Sequence, residues 1–301
     1  MMSNKLKLGF IGFGEAGFHL ASGLRGAGLT HISAYDINTH TPGPDEKIQW
    51  RASESEVTLV KSNAELTRAS DIVLSTVTAN RARDAAEQTA PFLEARHFYA
   101  DLNSVSPALK QDIGQIIAAR GARFVEIAIM SPVPPHGHRV PMFLGGAHAQ
   151  DFVDRLAPYG MNLEVISEQI GAASATKMCR SIIVKGLEAL LLECVLGAVP
   201  YGADERVFAT LEETMSGMNW KKLASYMVGR VVEHGDRRAR ELEEVAATLR
   251  AIGVEPIMAE ATARRQDWCA KLELFSQFGG RVPEDYRTIV QAIADKTEKR
   301  F

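Results

Sequence analysis

The chain has little of what would indicate a disulfide-rich or metal-binding protein. Only three cysteines occur in 301 residues. Cys179, Cys194 and Cys269 are too far apart to suggest a disulfide framework or a metal-ligand motif. Charge of one sign is not in excess either, because 34 Lys+Arg stand against 37 Asp+Glu, a net charge of −3. We therefore expect no resident metal and no general binding of nucleic acid.

Long uncharged apolar runs are also missing. The first residues, MMSNKLKLGFIGFG, contain neither the apolar core nor the cleavage site of a secretory signal. The most apolar later stretch, residues 181–199, includes Lys185, Glu188 and Glu193, which favours a buried helix over a membrane span. These features predict a cytoplasmic protein without a membrane segment, and the length predicts two domains.

Short β-rich runs alternate with helical patterns in the first half of the chain. This alternation predicts an α/β fold with a mostly parallel sheet and helices on both faces. The expected strands are residues 6–11, 32–35, 57–60, 72–76, 98–102, 123–128, 142–144 and 163–165. The expected helices are residues 16–27, 64–67, 81–92, 107–119 and 149–159, while the Pro-Gly-Pro of residues 38–56 predicts a loop.

The pattern changes near Ser167, after which only long helical stretches follow. They cover residues 172–199, 204–214, 220–233, 237–252, 256–274 and 283–299. We therefore predict a dinucleotide-binding domain over residues 1–167 and an all-helical domain for substrate binding and dimerisation over residues 168–301.

The first predicted strand is followed by Gly12-Phe13-Gly14-Glu15-Ala16-Gly17 and then directly by a helical pattern. In a dinucleotide-binding loop, Gly12 permits the tight turn, Gly14 lets the backbone approach a pyrophosphate, and Gly17 lets helix pack on strand. The N–H groups at the start of the helix then face the phosphates. Asp36 ends the second predicted strand, where a carboxylate is expected to accept the ribose hydroxyls. The alternative is a set of glycines that serves only the turn.

Asp36 also bears on the choice of cofactor. A carboxylate at this position repels a 2′-phosphate, which favours NAD over NADP. NADP remains possible because Arg51 or His40 on the neighbouring insert could reach such a phosphate.

Four segments in the right order resemble the β-hydroxyacid dehydrogenases, the group that contains 3-hydroxyisobutyrate dehydrogenase and 6-phosphogluconate dehydrogenase. They are GFIGFGEAG at residues 9–17, DLNSVSP at 101–107, residues 126–146 with their final Gly-Gly, and GAASATKM at 171–178. The C-terminal third is similar to a poorly characterised, 6-phosphogluconate dehydrogenase-like branch. The resemblance implies an N-terminal Rossmann domain, a long interdomain helix and a homodimer.

Lys177 lies in the segment that matches the one carrying the family's catalytic lysine. The resemblance therefore implies that Lys177 is the general acid/base. At 100° per residue, Ser174, Ser181 and Lys185 lie within about 80° of it on one helix face. Partial desolvation beside Lys185 or Arg180 would disfavour the charged amine, as a general base requires. The alternative is a lysine whose stem covers apolar surface.

Several positions depart from the family pattern. Ser181 stands where the family has Asn, and Val184 stands where 6-phosphogluconate dehydrogenases have an acid that Glu188 could replace. Residues 131–139 (SPVPPHGHR) replace the Ser-Gly-Gly substrate loop with prolines, which have no N–H to offer a carboxylate. These departures argue against 6-phosphogluconate as the substrate. We interpret the His-x-His of residues 136–138 as part of a solvated loop rather than as a metal site.

The resemblance also implies roles for residues outside these segments. Asn103 and Ser104 would lie between nicotinamide and substrate, or would instead cap the next helix. Arg240 has the spacing of a lysine that approaches the nicotinamide, although an exposed ion-paired face explains it equally well.

We thus predict an NAD(P)-dependent oxidoreductase that transfers a hydride between nicotinamide and a small anionic hydroxy acid or sugar acid. Alternatives are an imine reductase, which usually has another proton donor at the lysine position, an oxidation coupled to isomerisation or decarboxylation, and an NAD-binding sensor without turnover. The predicted catalytic residues are Lys177 and Ser181. The predicted cofactor contacts are Gly12, Phe13, Gly14, Glu15, Ala16, Gly17, Asp36, Val77, Asn103 and Arg240. The predicted substrate contacts are Asn103, Ser104, Met130, Ser131, Lys177, Ser181 and Lys185.

Overall fold

The computed structural model describes residues 6–39 and 41–297. The chain divides into two compact units, the first ending at Lys177 and the second beginning at Met178. Ser167, near which we predicted the division, is the last residue of the sheet. The first turns of the following helix still belong to the first unit, because they are hydrogen-bonded to the sheet.

Eight strands form one sheet in the first unit. They are β1 (Lys7–Ile11), β2 (His31–Tyr35), β3 (Thr58–Leu59), β4 (Ile72–Ser75), β5 (Phe98–Asp101), β6 (Arg123–Ile129), β7 (Met142–Gly145) and β8 (Leu163–Ser167). Their order is β3-β2-β1-β4-β5-β6-β7-β8, and only the β6–β7 pair is antiparallel. This is the doubly wound order of a dinucleotide-binding domain, and it confirms the predicted fold class.

The helices connect these strands and then continue alone. In the first unit they are α1 (Glu15–Gly26), α2 (Pro44–Glu54), α3 (Asn63–Arg68), α4 (Ala82–Thr89), α5 (Pro107–Ala118), the short α6 (Val133–His136) and α7 (Ala149–Leu156). Next come α8 (Ala172–Ala198), α9 (Asp204–Thr214), α10 (Trp220–Ala251), α11 (Ile257–Ala270), α12 (Leu274–Gln277) and α13 (Tyr286–Thr297). The C-terminal region is therefore all-helical, as predicted, and residues 298 and 299 of the last predicted helix lie outside the described residues.

Apolar side chains on both faces of the sheet explain why the first unit is layered. One buried cluster, which includes Leu8, Phe10 and Leu20, packs on one face, and another, which includes Val73 and Ile113, packs on the other. Strands buried on both faces read as continuous apolar runs, which is why the pattern could locate them. The second unit has its own cluster around Leu192 and Val231.

The predicted loop over residues 38–56 is wrong. Its Pro-Gly-Pro ends in α2, with Gly43 before the helix at φ +88° and Pro44 as its first residue. Proline is well suited to a first helical position because its missing N–H has no partner there in any case. Ile48 and Ala52, four residues apart, supply the buried face.

The two helices predicted at residues 220–233 and 237–252 are one continuous helix, α10. Gly235 does not break it. A Cβ at Gly235 would lie 2.8 Å from the carbonyl oxygen of Gln266, so this glycine allows α11 to approach closely. The second unit is consequently organised around a 32-residue helix.

No helix in the described part of the chain is long and apolar enough to cross a membrane. Within residues 6–39 and 41–297, no group of three or more His, Cys, Asp or Glu side chains is arranged to hold a metal ion.

Candidate active site

The carboxyl ends of the central strands lie side by side. Ile11 pairs with Tyr35 on β2 and with Ser75 on β4, and Ser75 pairs with Asp101 on β5. The residues that follow these strands are the glycine loop, Asp36, Val77 and Asn103, so the sheet brings their backbones to one edge. Ligands of open α/β sheets bind at this edge.

Each glycine of the loop has a different environment. Gly12 has φ +79°, and a Cβ there would lie 2.8 Å from Val77 Cγ1 and 2.9 Å from the Thr76 carbonyl oxygen. A Cβ at Gly17 would lie 3.1 Å from Thr76 Oγ1, where α1 crosses the sheet. A Cβ at Gly14 would meet no atom of the described residues within 4 Å. The loop is thus packed at Gly12 and Gly17 and open at Gly14, as a phosphate-binding turn requires.

Asp36 holds this loop from the end of β2. Its Oδ2 accepts a hydrogen bond from the Phe13 N–H at 2.7 Å, and its Oδ1 accepts from the Asn38 N–H at 2.9 Å. The carboxylate is therefore fixed, while each oxygen keeps a further lone pair for a ribose hydroxyl. The Phe13 side chain is fully buried, so any contact of this residue with a cofactor would come from its backbone.

A cavity of about 620 Å³ lies against the glycine loop. Its lining includes Gly12, Gly14, Asp36, Val77 and Arg81, so it contains four of the predicted cofactor contacts. The other predicted contacts in the loop, Phe13, Glu15, Ala16 and Gly17, do not line it, and neither does Asn103. An open glycine, a fixed carboxylate and a cavity of this size fit the adenosine half of a dinucleotide.

Arg51, which we considered for a 2′-phosphate, lies on α2 beside the same loop. Its Nη1 donates to the Phe13 carbonyl oxygen at 3.4 Å. His40 lies outside the described residues.

A buried polar network surrounds Asn103 at the end of β5. Its Nδ2 donates to Ser75 Oγ at 2.9 Å and to Asp101 Oδ1, and its Oδ1 has no hydrogen-bond partner among the residues that the structure describes. Lys110, only 1% exposed, donates from Nζ to the Asp101 carbonyl oxygen at 2.6 Å and lies 3.3 Å from Asp101 Oδ2. Both amide protons of Asn103 are therefore used, which leaves its oxygen as an acceptor. The next helix is capped by Ser106 and not by Asn103 or Ser104.

The loop of residues 131–139 is less exposed than we predicted. His136 and Arg139 are exposed, but His138 is buried against α1, where a Cβ on Gly23 would lie 2.2 Å from its Nδ1. Burial lowers the pKa of His138, and the charge of neighbouring Arg139 lowers it further. Of the predicted contacts in this region, Ser104 is exposed and Met130 and Ser131 are half-buried.

The start of α8 is fixed by Glu126, which lies in the middle of β6 and is fully buried. Glu126 Oε1 accepts hydrogen bonds from the N–H groups of Gly171 at 2.7 Å and Ala173 at 2.9 Å. Its Oε2 accepts from Ser174 Oγ at 3.1 Å. Glu126 is not among the site residues predicted from the sequence. The available signal was an acid within the apolar strand RFVEIAI, since an isolated carboxylate is seldom buried without partners.

Lys177 is half-buried and follows Ser174 by three residues on α8. Ser181, one turn later, is also half-buried, and Lys185 is buried. Lys185 Nζ lies 2.6 Å from Glu241 Oε2 of α10. Burial lowers the pKa of Lys185, although Glu241 opposes this. The second unit thus holds the buried Lys185 in an ion pair with the half-buried Glu241.

Glu188, which we considered as a replacement for the acid of 6-phosphogluconate dehydrogenases, is held between helices by hydrogen bonds. It is fully buried, both of its oxygens bond to Arg238 Nη1, and Gln266 Nε2 donates to Oε2 at 3.1 Å. Burial raises the pKa of Glu188, and Arg238 counteracts this effect. The carboxylate of Glu188 connects α8 to α10 and α11. Because its oxygens are occupied by these contacts, it is poorly suited to donate a proton to a substrate.

Arg240 lies in an exposed ion-pair cluster. Its Nη1 and Nη2 each lie 2.5 Å from a carboxylate oxygen, of Glu243 and Asp267 respectively. The coulombic effect of Glu243 raises the pKa of Arg240. These contacts explain the presence of Arg240 without a bound ligand. They correspond to the alternative given for its sequence pattern, an exposed ion-paired face.

Comparisons with known proteins agree with this arrangement. Residues 7–152 match the NAD binding domain of 6-phosphogluconate dehydrogenase, and residues 198–269 match a domain of unknown function (DUF1932). A conserved hypothetical protein from Sinorhizobium meliloti has a similar crystal structure. It is 34% identical, with a TM-score of 0.83, and the match covers 98% of this chain and 97% of that one.

Two curated relatives are also similar. An uncharacterized 28.5 kDa protein of Methanothermus fervidus is 30% identical over 257 residues, which are 85% of this chain and 96% of the relative. The mitochondrial 3-hydroxyisobutyrate dehydrogenase of Drosophila melanogaster is 26% identical over 217 residues, which are 71% of this chain and 64% of the relative.

The fold, the glycine loop and these matches define an NAD(P)-binding oxidoreductase. The chain belongs to the β-hydroxyacid dehydrogenase superfamily, whose members are NAD(P)-dependent enzymes that act on CH–OH groups. Within it, the chain belongs to a branch that combines the NAD-binding domain with the DUF1932 region. The family predicted from the sequence motifs is thereby confirmed.

Proposed function

We propose that the chain is a dehydrogenase of a small hydroxy acid or sugar acid, with Lys177 as the general acid/base. The observation that carries this proposal is the setting of Lys177. It lies in the segment that resembles the family's lysine segment, and it follows a helix start bonded to a buried carboxylate.

A bound dinucleotide supplies the hydride acceptor or donor at the nicotinamide ring. In the oxidation direction, Lys177 Nζ takes the proton of the substrate hydroxyl. In the reduction direction the protonated amine returns it to the carbonyl oxygen. Within the first unit, the amide oxygen of Asn103 is an acceptor that can hold a hydroxyl group of a ligand. Ser181, one turn after Lys177 on α8, offers a hydroxyl.

Substitution of Lys177 tests the chemical role. We expect Lys177→Ala and Lys177→Met to lower kcat by about 10²-fold or more, because general acid/base catalysis contributes about 10²–10⁴-fold. The dissociation constant of NADH, followed by its fluorescence, should be unchanged. Activity is measured over a panel of hydroxy acids and sugar acids by NADH formation, with product analysis by mass spectrometry.

Lys271→Ala is the matched control, since Lys271 is 75% exposed and pairs only with Asp267 among the described residues. Turnover of the Lys177 variants near that of the control would refute the role. NADH binding without turnover on the whole panel would favour a sensor.

We further propose that NAD is preferred over NADP. A 2′-phosphate at Asp36 would meet a carboxylate that is only 9% exposed and is held in place by two backbone N–H groups. Comparison of kcat/KM for the two cofactors is the measurement. A preference for NADP of about tenfold or more would contradict the role of Asp36.

A further inference from the structure

Glu126 has an environment that is built around its carboxylate. It faces Gly145 across the antiparallel β6–β7 pair, and a Cβ at Gly145 would lie 2.5 Å from Glu126 Oε1. Gly171, which donates to the same oxygen, has φ +108°, a conformation that side chains rarely adopt. Two glycines therefore make room for the carboxylate and turn the chain toward it.

Among the described residues, the hydrogen bonds that this carboxylate accepts all come from the beginning of α8. The first N–H groups of a helix have no partner within the helix and need an outside acceptor. Glu126 accepts from two such groups and from the hydroxyl of Ser174. A negative charge is also favourable at this end of the helix dipole. The first turn of α8 is thereby bonded to the middle of β6.

We propose that Glu126 is a positioning residue for Lys177. Lys177 follows Ser174 by three residues, so the two side chains share one face of α8, about one turn apart. Loosening the first turn would let the helix start fray, and the ammonium would leave its productive place. The inference rests on the proposed role of Lys177. It adds that the Glu126 carboxylate, by holding the first turn of α8, orients the Lys177 side chain.

Three variants separate geometry from charge. Glu126→Ala removes all three hydrogen bonds, and Ser174→Ala removes one of them. Glu126→Gln keeps an oxygen for the two N–H groups, and its amide can donate to Ser174 Oγ. We expect kcat to fall more than about tenfold in Glu126→Ala and about threefold to tenfold in Ser174→Ala, and to stay within about threefold in Glu126→Gln, because small misplacements at a catalytic group are costly. The KM for NAD should stay within about twofold in all three.

A double-mutant cycle with Lys177→Ala distinguishes positioning from general stability. If Glu126 acts through Lys177, Glu126→Ala should lower the residual rate of the Lys177→Ala enzyme by less than about threefold. An equal fold-loss in both backgrounds would assign Glu126 to stability alone. A kcat within about twofold of the wild type in folded Glu126→Ala would overturn the inference. If Glu126→Ala does not fold, a kcat within about twofold of the wild type in Ser174→Ala would overturn it instead.

Failure of this inference and failure of the proposed function give different results. Turnover that survives in Lys177→Ala overturns both. Turnover that is lost in Lys177→Ala but unaffected in the Glu126 and Ser174 variants overturns only the positioning role.

Discussion

At the scale of single residues, the open face of Gly14 gives a prediction about the cofactor. A methyl group there would meet no described atom within 4 Å, and φ −73° with ψ −161° is accessible to alanine. Gly14→Ala should therefore fold with the stability of the wild type but should weaken NADH binding about tenfold or more, since the methyl group occupies the approach of the pyrophosphate. Urea unfolding and NADH fluorescence titration measure the two properties.

Gly26→Ala is the matched control, because Gly26 ends the same helix and also has open space among the described residues. It should leave NADH affinity unchanged. Gly12→Ala should instead lose stability, as φ +79° and a contact at 2.8 Å oppose a side chain. Unchanged NADH affinity in Gly14→Ala would show that the pyrophosphate does not pass this face.

The buried pair of Lys110 and Asp101 gives a prediction about stability. Lys110→Met should lower the free energy of unfolding by about 3–5 kcal/mol, because it leaves a buried carboxylate without its cation. Urea unfolding measures this loss, with the exposed Lys222→Met as the control that should stay near the wild type. A loss below about 1 kcal/mol would mean that Asp101 is held by Asn103 alone.

The residues that the sequence pointed to and those that it did not differ in one respect. Gly12, Gly14 and Asp36 are recognisable because their spacing along the chain follows from the strand–turn–helix geometry. Glu126 and Lys110 carry charges inside the first unit, and a single sequence gives charged residues an exposed position by default. Gly171, the partner of Glu126, lies 45 residues away in the sequence. Lys110 and Asp101 are nine residues apart, but they belong to different elements, α5 and β5, so only the fold brings either pair together.

At the scale of elements, all eight strands lie where the β-rich runs predicted them. The errors were in helices: α2 was predicted as a loop because of its Pro-Gly-Pro, α10 was divided between residues 233 and 237, and the short α6 and α12 were not predicted. At Gly43 and Pro44 these residues begin a helix, and at Gly235 the missing side chain serves contact between helices. Local pattern cannot separate these uses, because the deciding atoms belong to another element.

The first residue of α9 gives a prediction about pH. The buried Asp204 accepts hydrogen bonds from Tyr286 at 2.5 Å and from Arg287 Nε at 2.8 Å, which tie α9 to α13. Burial acts to raise the pKa of Asp204, but the hydrogen bonds from Tyr286 and Arg287 outweigh it and hold the pKa below its ordinary value. The contribution of this carboxylate to stability is therefore present at neutral pH and is lost as pH falls below about 4.

Asp204→Asn should lower the free energy of unfolding at neutral pH by about 1.5–3 kcal/mol, the range for hydrogen bonds to a charged group. The difference from the wild type should shrink as the pH is lowered below about 4. Urea unfolding at several pH values measures both, and the exposed Glu212→Gln on the same helix is the control. A difference that stays constant with pH would show that the ionised form of Asp204 is not what stabilises the tie.

At the scale of the whole molecule, the change of pattern near Ser167 predicted a sheet-containing part and an all-helical part. It could not predict that the first turns of α8 belong with the sheet, because that depends on the hydrogen bonds of Glu126. The motifs predicted the reaction class, because the glycine loop indicates the cofactor and the segment of residues 171–178 contains the lysine. They could not predict the substrate, because the sequence departs from the family pattern in the proline-rich loop that follows Ser131 and at Ser181.

The helix α8 also carries the last prediction, which concerns assembly. Ile183 is 72% exposed and Leu190 is 58% exposed, and their seven-residue spacing places them on one face of the helix. Large apolar side chains aligned in this way favour an interface, and we expect a homodimer that covers them. Sedimentation velocity should show a dimer for the wild type and a monomer for Leu190→Glu or Ile183→Glu. Met215→Glu, at an apolar residue that is 44% exposed but lies outside α8, is the control and should remain dimeric. A monomeric wild type, or dimers that survive both α8 substitutions, would place any self-association elsewhere.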